Sequence, residues 1–148
     1  MKLNLLLISK ILVPIDGSEN SKRALEHGLF LCSKVKSSLT ILYVIEIPPF
    51  LYIQSQKLVD SIMLNLENEA KGILANGKIQ GKKYNINPDS LFIEGGNTGS
   101  IIIDYSEKNN FDFIIIGSKG KGNFKNALLG SVSHKVLHHS KNPVLIVK

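Results

Sequence analysis

The sequence predicts an α/β domain, a doubly wound parallel sheet of five strands in the order 3-2-1-4-5 with about four helices, and three observations carry that prediction. Short, near-continuous apolar runs alternate with longer stretches of helical periodicity. The runs lack the in-and-out alternation of a sheet with one wet face. The first four of them stop at a glycine, proline or Asp-Gly turn. Strands buried on both faces read as unbroken apolar segments, and regular strand-helix alternation is the pattern of a parallel sheet covered on both sides. At 148 residues the chain is long enough for one sizeable core and too short for two. One domain over residues 10–148 is therefore expected, behind a short extension of residues 1–9.

The first run, Lys10-Ile-Leu-Val-Pro-Ile15, ends in the turn Asp16-Gly17-Ser18. From Ser18 to about Lys36, the small or apolar residues Ala24, Leu25, Gly28, Leu29 and Cys32 have the spacing of a helix with one buried face. Ser38 to Ile45 is rich in β-branched and aromatic residues and reads as a second buried strand, closed by the rigid break Pro48-Pro49. Leu58, Ile62, Leu66, Ala70 and Leu74 then recur every four residues on a helix expected to begin about Gln54 and end near Gly77. Leu91 to Glu94 is a short third strand. Gly95-Gly96-Asn97 supplies a turn and an N-cap for a third helix through Ile101, Ile102 and Tyr105. Phe111 to Ile116 is the fourth strand. After the glycine and lysine segment 117–126, Ser131 to Ser140 is a fourth helix with Val132, Val136 and Leu137 expected inward, and Pro143 to Val147 is the last strand.

Composition narrows the function classes. The single cysteine, Cys32, cannot form an intramolecular disulfide framework or a cysteine-rich zinc site, so a reducing, cytoplasmic setting is expected. Met1 to Ile8 is apolar, but its only charge is Lys2, no small-residue cleavage site follows, and Lys10, Pro14 and Asp16 interrupt the run before it could span a bilayer. It reads as an extension, and no membrane segment is expected. The formal charge of +6 is spread along the chain and no aromatic platform accompanies it, which argues against nucleic acid as a partner. Only Lys119, Lys121 and Lys125 crowd one segment.

That segment holds the strongest signal. Ligands of doubly wound sheets sit beyond the C-terminal strand ends, where strand order reverses. If the strand order is 3-2-1-4-5, the first and fourth strands flank that point, and Pro14 to Ser18 and Gly117 to Gly120 would face one crevice. Gly117, Gly120 and Gly130-Ser131 are separated by two and nine residues, and Gly130-Ser131 opens a predicted helix. Glycines let backbone amides approach a phosphate, and a helix N-terminus adds free N–H groups and partial positive charge. A plainer reading of the same residues is a strand-end turn, a loop and a helix cap. Asp16 likewise divides between capping the first helix and holding a ligand hydroxyl.

Gly117-x2-Gly120-x9-Gly130-Ser131 resembles the nucleotide-binding motif of the ATP-binding universal stress proteins, and the resemblance covers nearly the whole chain. Ile11-Leu-Val-Pro-Ile-Asp-Gly-Ser18 is similar to that family's opening strand and turn, Leu42 to Ile45 to its second strand, and Gly96 with Ile101 to its third strand-helix junction. Asp112 to Ser118 resembles the run before the loop. Gly130 to Leu137 and Asn142 to Val147 are similar to the family's ending. The extension and the long middle helix have no match.

The resemblance implies a Rossmann-like adenine-nucleotide-binding fold that takes ATP, with Mg²⁺ or Mn²⁺ accompanying the phosphates. It implies that Pro14 and Asp16 line the adenosine pocket, with Asp16 accepting from a ribose hydroxyl, and that the Val44 backbone reads the adenine edge. Gly117, Gly120, Gly130, Ser131, Val132 and Ser133 would hold ribose and phosphates. It also implies a homodimer formed through the edge strand Pro143 to Val147.

The remaining candidates are weaker. Lys119, Lys121 and Lys125 are either phosphate neighbours or solvated charge. His134 and His138 have the spacing of a two-histidine metal edge. No Glu follows His134 and no third ligand is evident, so a structural or exposed pair is expected. Gly95 to Gly99 and Gly117 to Asn126 both lack the Gly-Lys-Ser/Thr ending of a P-loop. No catalytic base stands beside the phosphate cradle beyond Asp16, so a nucleotide-dependent sensor or regulator with at most slow hydrolysis is expected. Two alternatives stay open: an ATP hydrolase or AMP-transferring enzyme, and a nucleotide-free interaction protein. The Ser-Gly-Gly-x-Asp-Ser and His-x-Gly-His signatures of the enzyme classes are absent.

Overall fold

The computed structural model describes residues 7–122 and 126–148; most of the expected N-terminal extension, and Lys125, lie outside the described residues. The elements run β1 (Lys10–Pro14), α1 (Glu19–Val35), β2 (Ser38–Glu46), a 3-10 turn (Pro49–Ile53), α2 (Gln56–Lys82), β3 (Asp89–Gly95), α3 (Thr98–Lys108), β4 (Phe113–Gly117), α4 (Ser131–His139) and β5 (Val144–Val147). All five strands are parallel, as the alternation predicted, and their order is the expected β3-β2-β1-β4-β5.

Successive side chains of β1 feed two different cores, because a strand sends neighbours to opposite faces. Ile11, Val13 and Ile15 join Ala24, Leu25, Leu29 and Cys32 of α1 and Leu74 of α2. Leu12 joins Leu42, Ile102, Ile103, Ile114, Ile116 and Val136 beneath α3 and α4. Ile11, Leu12, Val13, Ile41, Leu42, Ile114 and Ile115 are fully buried, and each such side chain contributes roughly 1.5–3 kcal/mol over its exposed state. The centre of the sheet is thereby fixed on both faces, and with it the strand ends that carry the polar turns. Cys32 is a core residue whose thiol donates to the Ser37 carbonyl.

Local chemistry starts the helices. The Ser18 hydroxyl accepts from Ser21 N at 3.2 Å as N-cap of α1, and Asn97 Oδ1 accepts from Ser100 N at 2.9 Å as N-cap of α3. Gly17, at φ +83°, takes the left-handed conformation that turns the chain from β1 into α1.

Three expectations need correction. α2 passes Gly77 and continues to Lys82, because the missing side chain at 77 serves close packing and does not end the helix: a Cβ there would lie 2.9 Å from Ile41 and 3.3 Å from Leu25. Its four-residue apolar repeat is buried only from Ala70 onward, and Leu58 in the first turns is 44% exposed. Leu137 of α4 faces outward, leaving Val136 as the buried residue of that turn. The Pro48-Pro49 break opens a 3-10 turn that periodicity did not reveal. Among the described residues no helix is long and apolar enough to cross a membrane.

Candidate functional site

A cleft of about 290 Å³ opens at the C-terminal ends of β1 and β4, at the reversal of strand order. All nine residues singled out in the sequence line it: Pro14, Asp16, Val44, Gly117, Gly120, Gly130, Ser131, Val132 and Ser133. Its inner wall is apolar, built from Leu42 and Val44 of β2, Ile102 of α3, Ile116 of β4 and Val132 of α4. Its polar lining comes from Asp16, the segment 119–122 and Ser131, with the buried Ser21 and Ser133 behind them. An apolar wall with a polar rim suits a flat ring carrying a polar tail.

Ser118 draws the two glycine clusters together. Its amide donates to the Val147 carbonyl at 2.7 Å, which holds it at the end of the sheet. Its carbonyl accepts from Gly130 N at 2.7 Å and from the buried Ser133 hydroxyl at 2.7 Å. Its own hydroxyl accepts from Asn20 Nδ2 of α1 at 3.0 Å. The start of α4 is thus pinned beside the end of β4, although the whole glycine and lysine segment lies between Ser118 and Gly130 in sequence.

α4 begins differently from α1 and α3. Its N-cap is Gly130, in extended conformation at φ −73°, with no side chain to bond the first-turn amides, and its first turn holds no acid. The amides of Ser131, Val132 and Ser133 have no intrahelical acceptor, as at any helix start, and here no capping side chain meets them. Lys119 and Lys121 line the same cleft. The combined field favours an anion.

Asp16 occupies the opposite lip. Its Oδ1 accepts from Ser18 N at 2.9 Å, and its Oδ2 accepts from Lys121 N at 3.0 Å. Asp16 therefore ties the turn and the loop together, while the N-cap itself is Ser18. Gly120 lies so close to this carboxylate that any side chain on it would collide with Oδ2. The Lys121 ammonium reaches across to pair with Glu69 of α2. It is held above the usual lysine range, first by the hydrogen bond with Glu69, with Tyr43, Glu69 and Asp16 adding their charges and burial opposing. Burial pushes the neighbouring Tyr43 phenol up, and Glu69 adds to that.

Sequence reasoning did not find Ser21, Leu42, Thr98, Ile102 or Ile116 in the lining. Leu42 was within reach, since it lies two residues before Val44 and so shares its face of the strand. Thr98 follows the recognised cap Asn97, and its hydroxyl donates to Glu46 Oε2 at 2.7 Å, tying α3 to the end of β2. His134 and His138 stand apart from the cleft lining, exposed on α4.

The family model for universal stress proteins matches residues 8–148. The chain belongs to the universal stress protein family. Among its relatives, this universal stress protein is 31% identical over 159 residues to MJ0577 of Methanocaldococcus jannaschii, covering 96% of each chain. It is 29% identical over 150 residues to YxiE of Bacillus subtilis, covering 96% of this chain and all of that one. The solved structure of MJ0577 superposes with a TM-score of 0.84 at 30% identity, covering 96% of each chain. More distant universal stress proteins share the fold. One, in complex with cAMP, has 20% identity, a TM-score of 0.69 and coverage of 95% of this chain and 96% of the other. Another, from Archaeoglobus fulgidus in complex with dAMP, has 18% identity, a TM-score of 0.70 and coverage of 96% and 99%.

Proposed function

We propose that this universal stress protein binds ATP in the cleft between β1 and β4 and acts as a nucleotide-dependent sensor or regulator in stress response. The observation that carries the proposal is the uncapped, acid-free start of α4 at Gly130, facing an apolar-walled cleft with Asp16 on its other lip. The cleft volume of about 290 Å³ suits a nucleoside, with the phosphates lying along the open segment 119–122. The adenine would sit against Val44, Ile102 and Val132, its edge read by the Val44 backbone. Asp16 would accept from a ribose hydroxyl, and Gly117, Gly120, Gly130, Ser131, Val132 and Ser133 would surround ribose and phosphates. The complexes of two relatives with cAMP and dAMP accord with an adenine nucleotide as occupant.

Among the described residues no group of three or more His, Cys, Asp or Glu side chains converges on a metal position. Mg²⁺ or Mn²⁺ would therefore enter with the phosphates, coordinated chiefly by them and by water. Both Asp16 oxygens already accept backbone amides, so this carboxylate is poorly placed to activate a water, and turnover would be slow. Strand β5 lies at the sheet edge with Leu145 38% exposed. An apolar edge strand calls for pairing, and a homodimer through residues 143–147 would supply it.

The decisive experiment is purification without added nucleotide, denaturation and mass identification of any released small molecule, followed by calorimetric titration with ATP and Mg²⁺. Recovered adenine nucleotide or micromolar binding is the expected result. No nucleotide and no binding would refute the proposal and leave a protein of this fold that acts through its surface alone.

A further inference from the structure

We infer that His134 and His138 form a two-point site for a divalent transition-metal ion of the Cu²⁺ or Ni²⁺ kind on the outer face of α4. The residues lie one helical turn apart, where side chains four positions distant stand on the same face. Both are exposed, and their ring centres are 4.3 Å apart with planes inclined at 41°. Among the described residues neither imidazole takes part in a hydrogen bond or an ion pair, whereas His27 Nδ1 lies 2.8 Å from the Arg23 carbonyl. The adjacent cations are committed elsewhere: Lys135 Nζ donates to Asn97 Oδ1 at 3.1 Å, and Lys141 pairs with Glu107 at 3.3 Å.

The separation is compatible with one shared ion, and the affinity order of divalent ions favours Cu²⁺ and Ni²⁺. Two imidazoles that share one ion at about 2.0–2.1 Å from each nitrogen have ring centres roughly 4–5 Å apart. The shorter end of that range corresponds to nitrogens at about a right angle, the cis positions of a tetragonal shell preferred by Cu²⁺ and Ni²⁺, while a tetrahedral Zn²⁺ site spreads the rings further. Water would fill the remaining positions. Neutral imidazole is the ligand form. His138 sits in the last turn of α4, where the exposed carbonyl ends favour a cation. The sequence reading favoured a structural or exposed pair because no Glu follows His134 and no third ligand is evident; a two-ligand, exchangeable site needs neither. Neither histidine lines the nucleotide cleft, so this inference does not depend on ATP binding.

The test is calorimetric titration of the untagged protein with CuCl₂ and with NiCl₂ in a non-coordinating buffer at pH 7.5. Wild type should bind one Cu²⁺ more tightly than Ni²⁺. His134→Gln and His138→Gln should each weaken Cu²⁺ by on the order of a hundredfold, because either change turns a chelate into a single contact. The double variant should be little worse than either single one, and His139→Gln should match wild type. All three positions are exposed, so the variants should fold. Equal affinity in wild type and the double variant would overturn the inference, as would an equal loss in His139→Gln.

Discussion

α1 and α4 start on opposite sides of the same cleft, and the chain finishes one of them and leaves the other open. α1 has the Ser18 hydroxyl bonded to Ser21 N, the Asp16 carboxylate bonded to Ser18 N, and Glu19 in its first turn. α4 has Gly130, no capping side chain and no first-turn acid. A capped end with its own carboxylate nearby has little left to offer an anion. An uncapped end retains both its free amides and its share of the helix dipole. The difference teaches that the lip proposed to hold phosphate is recognised by what its helix start lacks.

The largest test closes the open end. Gly130 sits at φ −73°, and a Cβ there would meet nothing nearer than 3.4 Å, so other residues fit the backbone. Gly130→Asp should leave the fold intact, or firmer by roughly a few tenths of a kcal/mol, since Asp caps slightly better than Gly. The same carboxylate would take the amides proposed to hold phosphate and repel it. ATP affinity should fall by at least about a hundredfold, which is about 2.7 kcal/mol. Calorimetry and a melting curve on one sample separate the two effects, and unchanged affinity would sink the phosphate cradle.

Asp16→Ala comes next. Loss of a charge-assisted hydrogen bond to ribose should weaken ATP by about 1–3 kcal/mol. Because Asp16 also holds Lys121 N, deoxyribose analogues sharpen the reading. If the ribose contact matters, the variant should discriminate less between ATP and its deoxy analogues than wild type does. Discrimination equal to wild type would confine Asp16 to tying the loop. Smaller again is Ser18→Ala on the finished lip, which should lower stability by about 1 kcal/mol in denaturant unfolding. ATP affinity should stay within about twofold, because Ser18 does not line the cleft. A matching fall in affinity would erase the contrast between the two helix starts.

The contrast also marks how far the sequence could be read. The parallel strands and the glycine pattern were legible because both rest on local signals, apolar runs that end at turns and glycines at fixed spacing, whereas Pro14, Val44, Val132 and Ser133 were reached only through the family resemblance. Gly77 misled, since a glycine that ends a helix and one that admits a neighbouring strand look alike without the neighbour. The half-exposed start of α2 was hidden for the same reason, as a periodic apolar face does not say what covers it. Ser118 had no signal of its own, yet its carbonyl gathers Gly130 and Ser133, a pairing that only the closed fold creates.

The pairing of Lys121 with Glu69 is the least legible contact, joining a loop lysine to the middle of a helix that the family resemblance did not reach. It bears on the comparison because Lys121 is anchored twice, through its amide to Asp16 and through its ammonium to Glu69. The raised pKa of Lys121 keeps it charged through the working pH range; any stability it adds is present below the ordinary lysine value and is lost only as pH rises through the higher, folded one. Both side chains are about half exposed, at 52% and 46%, so solvent screening limits the pair to about 0–1 kcal/mol. Glu69→Gln should therefore weaken ATP no more than about fivefold, and the loss should shrink as salt rises. Lys121→Met removes the same pair together with a cation of the segment along which the phosphates are proposed to lie. If the double variant equals Lys121→Met alone, Glu69 acts only through Lys121. Tighter ATP binding in the double variant than in Lys121→Met would show that the Glu69 carboxylate also acts on the cleft by its own charge, repelling phosphate, and would make α2 a third contributor to a site built otherwise from two lips.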